Sequence, residues 1–339
     1  MRSFFYFYFC HYHAMDKNRI FSITSDKDFL KTALEVFNYQ YNTIEVYREF
    51  CDLLKVMPEA VTSLQEIPFL PIEFFKSLKI FPAEGEVQKV FTSSGTTGSN
   101  TSKHLIKDIE IYEESYNRAF RQFYGNVEEY VVLALLPSYL ERDGSSLIYM
   151  ANDLILKSKH PESGFYLDDL DILRHNLNRL DKAGTKVLLL GVSFALLDLV
   201  ESSSFQLENT IVMETGGMKG RRKEMIREEL HAILKKGFGV DAIHSEYGMT
   251  ELLSQAYSRG HGIFQCPPWL KILIRDPEDA LTYLPEGKTG GVNVIDLANI
   301  NSCSFIATQD LGKVKGRNQI EILGRFDNSD IRGCNLMVV

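Results

Sequence analysis

The 339-residue chain is 45% hydrophobic and 24% charged, and its 37 basic side chains against 45 acidic ones give a formal net charge of −8. This is the composition of a globular protein that is long enough for one large domain or two ordinary ones. The acidic balance argues against a nucleic-acid-binding protein with a broadly basic surface, although it is compatible with a local basic pocket.

The amino-terminal residues are not expected to form a membrane span or an export signal. The aromatic run at residues 4–9 is too short to cross a bilayer. It also lacks a long aliphatic segment followed by a small-residue cleavage site, so we expect no signal peptide. Met15 would make a plausible start, and we treat residues 1–14 as a candidate upstream extension. No later apolar run reaches membrane length.

The cysteines are scattered along the chain, and no two of them form a Cys-x-x-Cys pair. This spacing disfavours a structural zinc site or a disulfide framework, and it predicts a reducing, cytoplasmic location. The five cysteines are Cys10, Cys51, Cys266, Cys303 and Cys334.

The first two thirds of the chain alternate between helix-like and strand-like segments. Apolar residues at helical spacing predict helices, whereas continuous apolar runs predict buried strands. The predicted helices cover residues 26–38, 43–54, 108–124, 145–157, 168–183, 193–201 and 220–236. The predicted strands cover residues 87–92, 130–136, 186–190 and 210–213. This alternation predicts an α/β fold with a largely parallel sheet.

Beyond about residue 260 the pattern changes to short, β-rich segments separated by turn residues. These segments cover residues 269–275, 290–297, 304–308 and 319–323. No linker separates them from the preceding residues, so we interpret them as a β-rich subdomain that completes the same unit.

A loop rich in serine, threonine and glycine follows the predicted strand at residues 87–92. Such a loop can direct many N–H and hydroxyl donors at one point, which favours binding of an anion and of phosphate above all. Lys103 adds a positive charge at the far end, although the spacing is not that of a Walker A loop. The alternative is a flexible surface turn. The loop residues are Ser93, Ser94, Gly95, Thr96, Thr97 and Gly98.

A second cluster, at residues 244–251, follows a strand-like segment and precedes a helical one, which is where α/β proteins build sites. The Tyr247 ring can stack on a purine, Thr250 can reach a phosphate, and Glu251 can hold Mg²⁺ on that phosphate, since Mg²⁺ needs only one or two carboxylates. The alternative is a helix N-cap with a solvated glutamate.

Four further residues could contact a nucleotide. Gly216 and Gly217 follow a strand and permit close approach of the backbone to a flat ligand, or simply form a tight turn. Asp310 stands where a strand-end carboxylate could accept a hydrogen bond from a ribose hydroxyl, although such an Asp is also common in turns. Arg325 would contact sugar or phosphate, or be an ordinary surface arginine.

Taken in order along the chain, these clusters resemble the motifs of the adenylate-forming superfamily of acyl- and aryl-CoA ligases, luciferases and adenylation domains. A narrower resemblance runs from residue 67 onward, through residues 67–76, 93–98, 246–251, 324–327 and 331–334, to the acyl-protein synthetases, also called long-chain-fatty-acid–luciferin-component ligases. That family is the ATP-dependent component of the bacterial fatty-acid reductase complex. The resemblance implies that a fatty or related acid is converted with ATP and Mg²⁺ into an acyl adenylate. The acyl group then passes to a cysteine of the protein and on to a partner acyl reductase.

The resemblance also implies roles for individual residues. The catalytic residues would be Lys103, Thr250 and Cys334, with Arg332 available to lower the pKa of the Cys334 thiol; Glu251 would bind the metal, and Asp327 would form the hinge. His244, His261 and Gly262 would border the substrate pocket. The nucleotide would contact Ser93, Ser94, Gly95, Thr96, Thr97, Gly98, Gly216, Gly217, Tyr247, Gly248, Thr250, Asp310 and Arg325.

The implied architecture is the large domain of adenylate-forming enzymes: layered α/β sheets plus a β-rich subdomain, with a nearly absent C-terminal lid domain. The core would cover residues 15–324, and a hinge with a short tail would cover residues 325–339. Larger members carry a catalytic lysine on the lid, and that lysine has no counterpart here. Two alternatives stay open: a compact CoA ligase resembling phenylacetate–CoA ligase, and a non-catalytic nucleotide-binding scaffold.

Overall fold

The computed structural model describes residues 15–93, 101–137, 144–216, 222, 225–316 and 318–326. The predicted upstream extension and nearly all of the predicted tail lie outside these residues.

Most helices of the described chain agree with the sequence pattern. Their bounds are α1 (Lys17–Phe21), α2 (Asp26–Thr43), α3 (Glu45–Leu53), α4 (Phe74–Ser77), α5 (Ile109–Tyr124), α6 (Ser146–Ser158), α7 (Leu170–Lys182), α8 (Ser193–Ser202) and α9 (Arg227–Phe238). The helix predicted at residues 220–236 begins only at Arg227. The helix predicted after residues 244–251 is wrong, because a turn and then a strand at residues 256–258 follow them. Side chains of Ser25, Asp108 and Ser145 accept first-turn N–H groups and so fix where α2, α5 and α6 begin. None of the described helices is both long and apolar enough to cross a bilayer.

The strands are short in the first half of the chain and longer near its end. Their bounds are β1 (Leu70–Pro71), β2 (Lys89–Thr92), β3 (Lys103–Ile106), β4 (Val131–Leu135), β5 (Gly164–Phe165), β6 (Val187–Val192), β7 (Thr210–Thr215), β8 (His244–Tyr247), β9 (Ala256–Ser258), β10 (Ile263–Gln265), β11 (Leu270–Arg275), β12 (Thr289–Asp296), β13 (Phe305–Gly316) and β14 (Gln319–Arg325).

One twelve-stranded sheet connects nearly all of these strands. Its order is β11-β12-β13-β14-β10-β9-β8-β7-β6-β4-β5, with β1 paired to β13 off this path. The strands from β8 to β5 are parallel, as the sequence predicts, and every residue of β4 and β6 is buried. Strands buried on both faces have continuous apolar sequences because helices cover both sides of the sheet.

The β-rich segments continue the same sheet in antiparallel pairing from β9 onward. Buried polar contacts join them to the helices. The Trp269 indole N–H donates to Ser115 Oγ of α5 at 2.9 Å. The Gln40 amide of α2 donates to the Asn299 and Ile300 carbonyls at 2.9 and 3.1 Å. The β-rich part of the chain therefore packs directly against the α/β part.

A separate two-stranded hairpin, β2–β3, carries the serine- and threonine-rich loop. The Thr92 N–H donates to the Gly144 carbonyl at 2.7 Å, which ties the hairpin to the residue just before the helix α6 cap. The position of this hairpin decides where the loop can act.

Candidate active site

The site is built around the turn that follows β8. This strand pairs with parallel β7 on one side and antiparallel β9 on the other, so it lies where the sheet changes from parallel to antiparallel. The carboxyl ends of parallel strands are the usual place for ligand sites in α/β proteins. A Cβ at Gly248 would lie 2.4 Å from Glu246 Oε1, so a larger residue here would displace that carboxyl group.

Glu251 is the buried carboxylate of this turn, with 5% of its surface exposed. Burial raises the pKa of Glu251, whereas a hydrogen bond from Ser102 and the charges of Arg325 and Lys76 lower it. Ser102 directly precedes β3. The base of the serine- and threonine-rich loop and the predicted metal ligand therefore lie in contact, although 149 residues separate them in the sequence (251 − 102).

Reciprocal hydrogen bonds hold the two ends of the loop together. The Ser93 N–H donates to the Ser102 carbonyl at 3.1 Å, and the Ser102 N–H donates to Ser93 Oγ at 2.9 Å. Lys103 is exposed, and strand alternation places it on the opposite face from buried Ser102 and His104. The predicted loop residues Ser94, Gly95, Thr96, Thr97 and Gly98 lie outside the described residues, as do Gly217, Asp327 and Cys334.

Tyr247, Asp310 and Arg325 form a second part of the site. The Tyr247 hydroxyl donates to Asp310 Oδ2 at 2.7 Å, and Arg325 Nε lies 3.6 Å from Asp310 Oδ1. Asp310 and Arg325 are directly opposite each other on β13 and β14. Burial raises the pKa of Asp310, and the Tyr247 hydrogen bond and the Arg325 charge oppose this effect. The Arg325 side chain is 81% exposed, which leaves its guanidinium available to a ligand.

A bulge in β13 directs Asp310 toward this site. Between the pairs Asn293–Ala307 and Gly291–Leu311 the register shifts, because β13 contributes more residues than β12. Arg275 braces the bulge by donating to the Val292 and Thr308 carbonyls at 2.8 and 2.6 Å. Bulges commonly re-aim side chains beside active sites.

Sequence reasoning missed Arg275 and also missed His104. His104 is fully buried between the hairpin and the turn, with Nδ1 2.8 Å from the Thr250 carbonyl and Nε2 3.0 Å from Asn299 Oδ1. His104 follows Lys103 directly, but the strand that turns its side chain inward, β3, was not predicted from the sequence. No local pattern could have identified Asn299 as its partner.

The floor of the site lies at the ends of β7 and β8. Gly216 takes up a left-handed conformation with φ +67, and its carbonyl accepts from Ser193 Oγ at 2.8 Å. The Thr215 hydroxyl donates to the Glu246 carboxylate. Burial raises the pKa of Glu246 to about 7, opposed by the Thr215 hydrogen bond and reinforced by the charge of Glu214.

The predicted substrate-pocket residues lie in different places. His244 begins β8, where its Nδ1 is 3.2 Å from the Tyr124 hydroxyl. Burial and the Arg259 charge lower the pKa of His244 to about 4, so its ring is neutral at neutral pH. His261 is exposed at the turn between β9 and β10, with φ +59, and Gly262 lies against Arg227 of α9.

A cavity of about 360 Å³ lies away from these residues, against β11 and the β13–β14 turn. It contains none of the predicted site residues, so we do not identify it with the site. Within the described part of the chain, no group of three or more His, Cys, Asp or Glu side chains is arranged to hold a metal ion.

Comparisons with known proteins show what the chain is similar to. Residues 5–135 match the family model described as "Acyl-protein synthetase, LuxE". The chain is 24% identical over 325 residues to the long-chain-fatty-acid–luciferin-component ligase of Vibrio harveyi, an alignment that covers 88% of this chain and 84% of the relative. The enzyme of the same name from Aliivibrio fischeri is 24% identical over 338 residues, with 90% and 86% covered.

The chain is thus similar to the acyl-protein synthetases over most of its length.

Solved structures show that the chain has the fold of adenylate-forming enzymes. It superposes on an open form of 2-hydroxyisobutyryl-CoA ligase in complex with 2-HIB-AMP and CoA, with a TM-score of 0.67, 14% identity, and coverage of 89% of this chain and 70% of that one. ATP-bound MatB from Rhodopseudomonas palustris gives a TM-score of 0.54 at 19% identity, with 70% of this chain covered. The aligned part spans about half of that protein, 48% of its chain. The predicted fold is thereby confirmed.

Proposed function

We propose that the protein activates a long-chain fatty acid, or a related carboxylic acid, with ATP and transfers the acyl group to one of its own cysteines. The acyl group is then delivered to a partner acyl reductase in the cytoplasm. The similarity to two long-chain-fatty-acid–luciferin-component ligases supports the fatty-acid substrate, and the binding of ATP by the structural neighbour MatB supports the nucleotide.

One observation carries the proposal. Ser102 at the base of the loop contacts Glu251, while Tyr247, four residues before Glu251, contacts the Asp310–Arg325 pair. Three segments that are far apart in the sequence thus meet at one edge of the sheet, and each has a residue type suited to one part of a nucleoside triphosphate. A surface turn or a solvated helix cap would not bury Glu251.

The first step joins the acid to AMP. A carboxylate oxygen of the acid attacks the α-phosphorus of ATP, the bond from that phosphorus to the bridging oxygen breaks, and diphosphate leaves. The loop donors, Lys103 and the Thr250 hydroxyl would stabilise charge that develops on the phosphate oxygens. Asp310, held by the Tyr247 hydroxyl, would accept from the ribose, and Arg325 would contact sugar or phosphate. Gly216 and Gly217 would let the backbone approach the flat base.

Glu251 would hold Mg²⁺, which supplies charge neutralisation on the phosphates. Burial disfavours the ionised form of Glu251 and so raises its pKa. A bound cation would favour the ionised form and so offset this effect. Gly248 allows the turn that places Glu251 next to Ser102.

The second step requires a thiolate. After its proton is lost to solvent, the sulfur attacks the acyl carbonyl carbon, the bond to AMP breaks, and AMP leaves. Cys51, Cys266 and Cys303 are buried, and burial raises the pKa of each thiol. These three thiols are poor acceptors, which leaves Cys10 and Cys334. Of these two we propose Cys334, because the resemblance at residues 331–334 implies it, with a hinge at Asp327.

The acceptor can be tested by labelling. The protein, incubated with ATP, Mg²⁺ and a radiolabelled long-chain acid, should acquire an acyl group that hydroxylamine removes. Cys334→Ser should lose this label and retain acid-dependent exchange of diphosphate into ATP. Cys303→Ser serves as the matched control and should keep both activities. Full labelling of Cys334→Ser would reject Cys334 as the acceptor, and strong CoA-dependent AMP release would favour an acyl-CoA ligase instead.

A further inference from the structure

The turn that carries Thr250 and Glu251 is held by its main-chain carbonyls as well as by its side chains. The Thr250 carbonyl oxygen lies 2.8 Å from His104 Nδ1. The Glu251 carbonyl accepts from Asn299 Nδ2 at 2.7 Å. His104 Nε2 and Asn299 Oδ1 are 3.0 Å apart, so the two side chains are also joined to each other.

The orientation of the Asn299 amide follows from its partners. Its Nδ2 reaches two carbonyl oxygens, those of Glu251 at 2.7 Å and Cys303 at 2.9 Å, and only an amide nitrogen can donate to both. Its Oδ1 must therefore face His104. Both ring nitrogens of His104 then face oxygens that only accept, and a neutral ring donates one of these two bonds at a time.

This pair joins three separate parts of the chain. His104 lies on β3, which emerges from the serine- and threonine-rich loop, and Asn299 lies on the short helical turn before β13. Each residue is fully buried. Phe75 of α4 packs edge-on against the His104 ring at 5.6 Å between ring centroids, which fixes the ring plane. The phosphate-loop hairpin, the metal-ligand turn and the start of β13 are thus tied at one point.

We propose that His104 and Asn299 are positioning residues that set the Thr250–Glu251 turn against the phosphate-loop hairpin for nucleotide activation. This inference rests on the proposed function and adds two residues to it. The pair acts through the backbone of Thr250 and Glu251, and not by touching the ligand.

The space around the pair supports a positioning role over a binding role. The cavity beside His104 and Asn299 is about 10 Å³, which is the space of roughly one water molecule. No substrate can reach His104 through it. Mutation of residues that orient a metal ligand typically lowers metal affinity or activity by about 10–100-fold.

Four variants test the pair. His104→Phe keeps the ring and its packing and removes both hydrogen bonds, while Asn299→Leu keeps the volume and removes the amide. His104→Asn retains a donor near the Nδ1 position and should still reach the Thr250 carbonyl. The double variant His104→Phe/Asn299→Leu measures whether the two act as one unit. Leu177→Ala, buried in α7, is the control for lost stability alone.

Acid-dependent diphosphate exchange, measured per folded molecule, should fall about 10–100-fold in His104→Phe and in Asn299→Leu. It should fall no further in the double variant, and His104→Asn should recover most of it. Leu177→Ala should exchange normally. Exchange at the wild-type rate in both single variants, or losses that multiply in the double variant, would overturn the proposal.

Hydrogen–deuterium exchange supplies a readout that needs no substrate. The Leu253 and Ser254 N–H groups of the same turn donate to Asp296 Oδ2 at 2.7 and 2.9 Å, and their protection should fall in His104→Phe and not in Leu177→Ala. Unchanged protection would also overturn the proposal. A wild-type protein that exchanges no diphosphate with any acid would reject the proposed function, and the amide protection would then decide the inference by itself.

Discussion

Glu246 is a partly buried glutamate near the end of β8, and its pKa is shifted strongly. Burial raises its pKa to about 7 from an ordinary value of 4.5. Because the folded-state pKa is the higher one, the protonated carboxyl stabilises the fold. That contribution is fully present below about pH 4.5 and is lost as the pH rises through 7, by at most about 3 kcal/mol.

Replacing Glu246 with Gln should remove this pH dependence. We expect the free energy of unfolding of the wild type, relative to Glu246→Gln, to decrease between pH 5 and pH 8. Urea unfolding of both proteins at the two pH values measures the difference, and other titrating groups cancel in the comparison. A difference that stays constant between the two pH values would show that Glu246 is ionised throughout.

At the scale of elements, Gly248 connects β8 to the Glu251 turn. Alanine at this position would bring its Cβ to 2.4 Å from Glu246 Oε1 and 3.3 Å from Gln255 Cγ. To avoid this contact the Glu246 side chain would have to move away from Thr215, with which it forms a hydrogen bond. We expect the free energy of unfolding to fall by about 1–3 kcal/mol.

The cost of Gly248→Ala should largely disappear when Glu246 is also replaced by Ala. Urea unfolding of the two single variants and the double variant measures this coupling. If the two losses simply add, the contact between Glu246 and the new methyl group is not the cause, and strain in the turn backbone must be invoked.

Local patterns predicted most elements because their causes are local. The continuous apolar run at β4 and the capping residue Asp108 before α5 each act within a few residues. The predicted ends of helices and strands were wrong where tertiary contacts determine how far the element extends. The helix predicted at residues 26–38 extends to Thr43, where α2 packs against the Asn299 turn through Gln40. β13 runs through Asp310 to Gly316 because β14 pairs with it along that length.

The candidate site was predictable where a motif is contiguous, as in residues 247–251. It was not predictable where function depends on a buried partner from a distant segment. His104 gives no signal of its own, since its role depends on Asn299, which is 195 residues away. The role of Arg275 likewise depends on the β13 bulge, where it donates to the Thr308 carbonyl.

At the scale of the whole molecule, one sheet brings the parts together. The parallel half supplies β7 and β8, the antiparallel half supplies β13 and β14, and the β2–β3 hairpin brings the loop base onto Glu251. These described segments thus bring Ser102, Glu251 and the Asp310–Arg325 pair to one edge of the sheet.

Exchange of labelled diphosphate into ATP in the presence of a long-chain fatty acid tests this account most directly, with the wild-type protein compared with Glu251→Gln. The wild type should catalyse exchange only when acid and Mg²⁺ are both present. Glu251→Gln should remain folded, and its exchange rate should be lower by a factor of about 10²–10³, the usual effect of removing one electrostatic contributor from such a site. Wild-type exchange by folded Glu251→Gln, or no exchange by the wild type with any acid, would contradict the account.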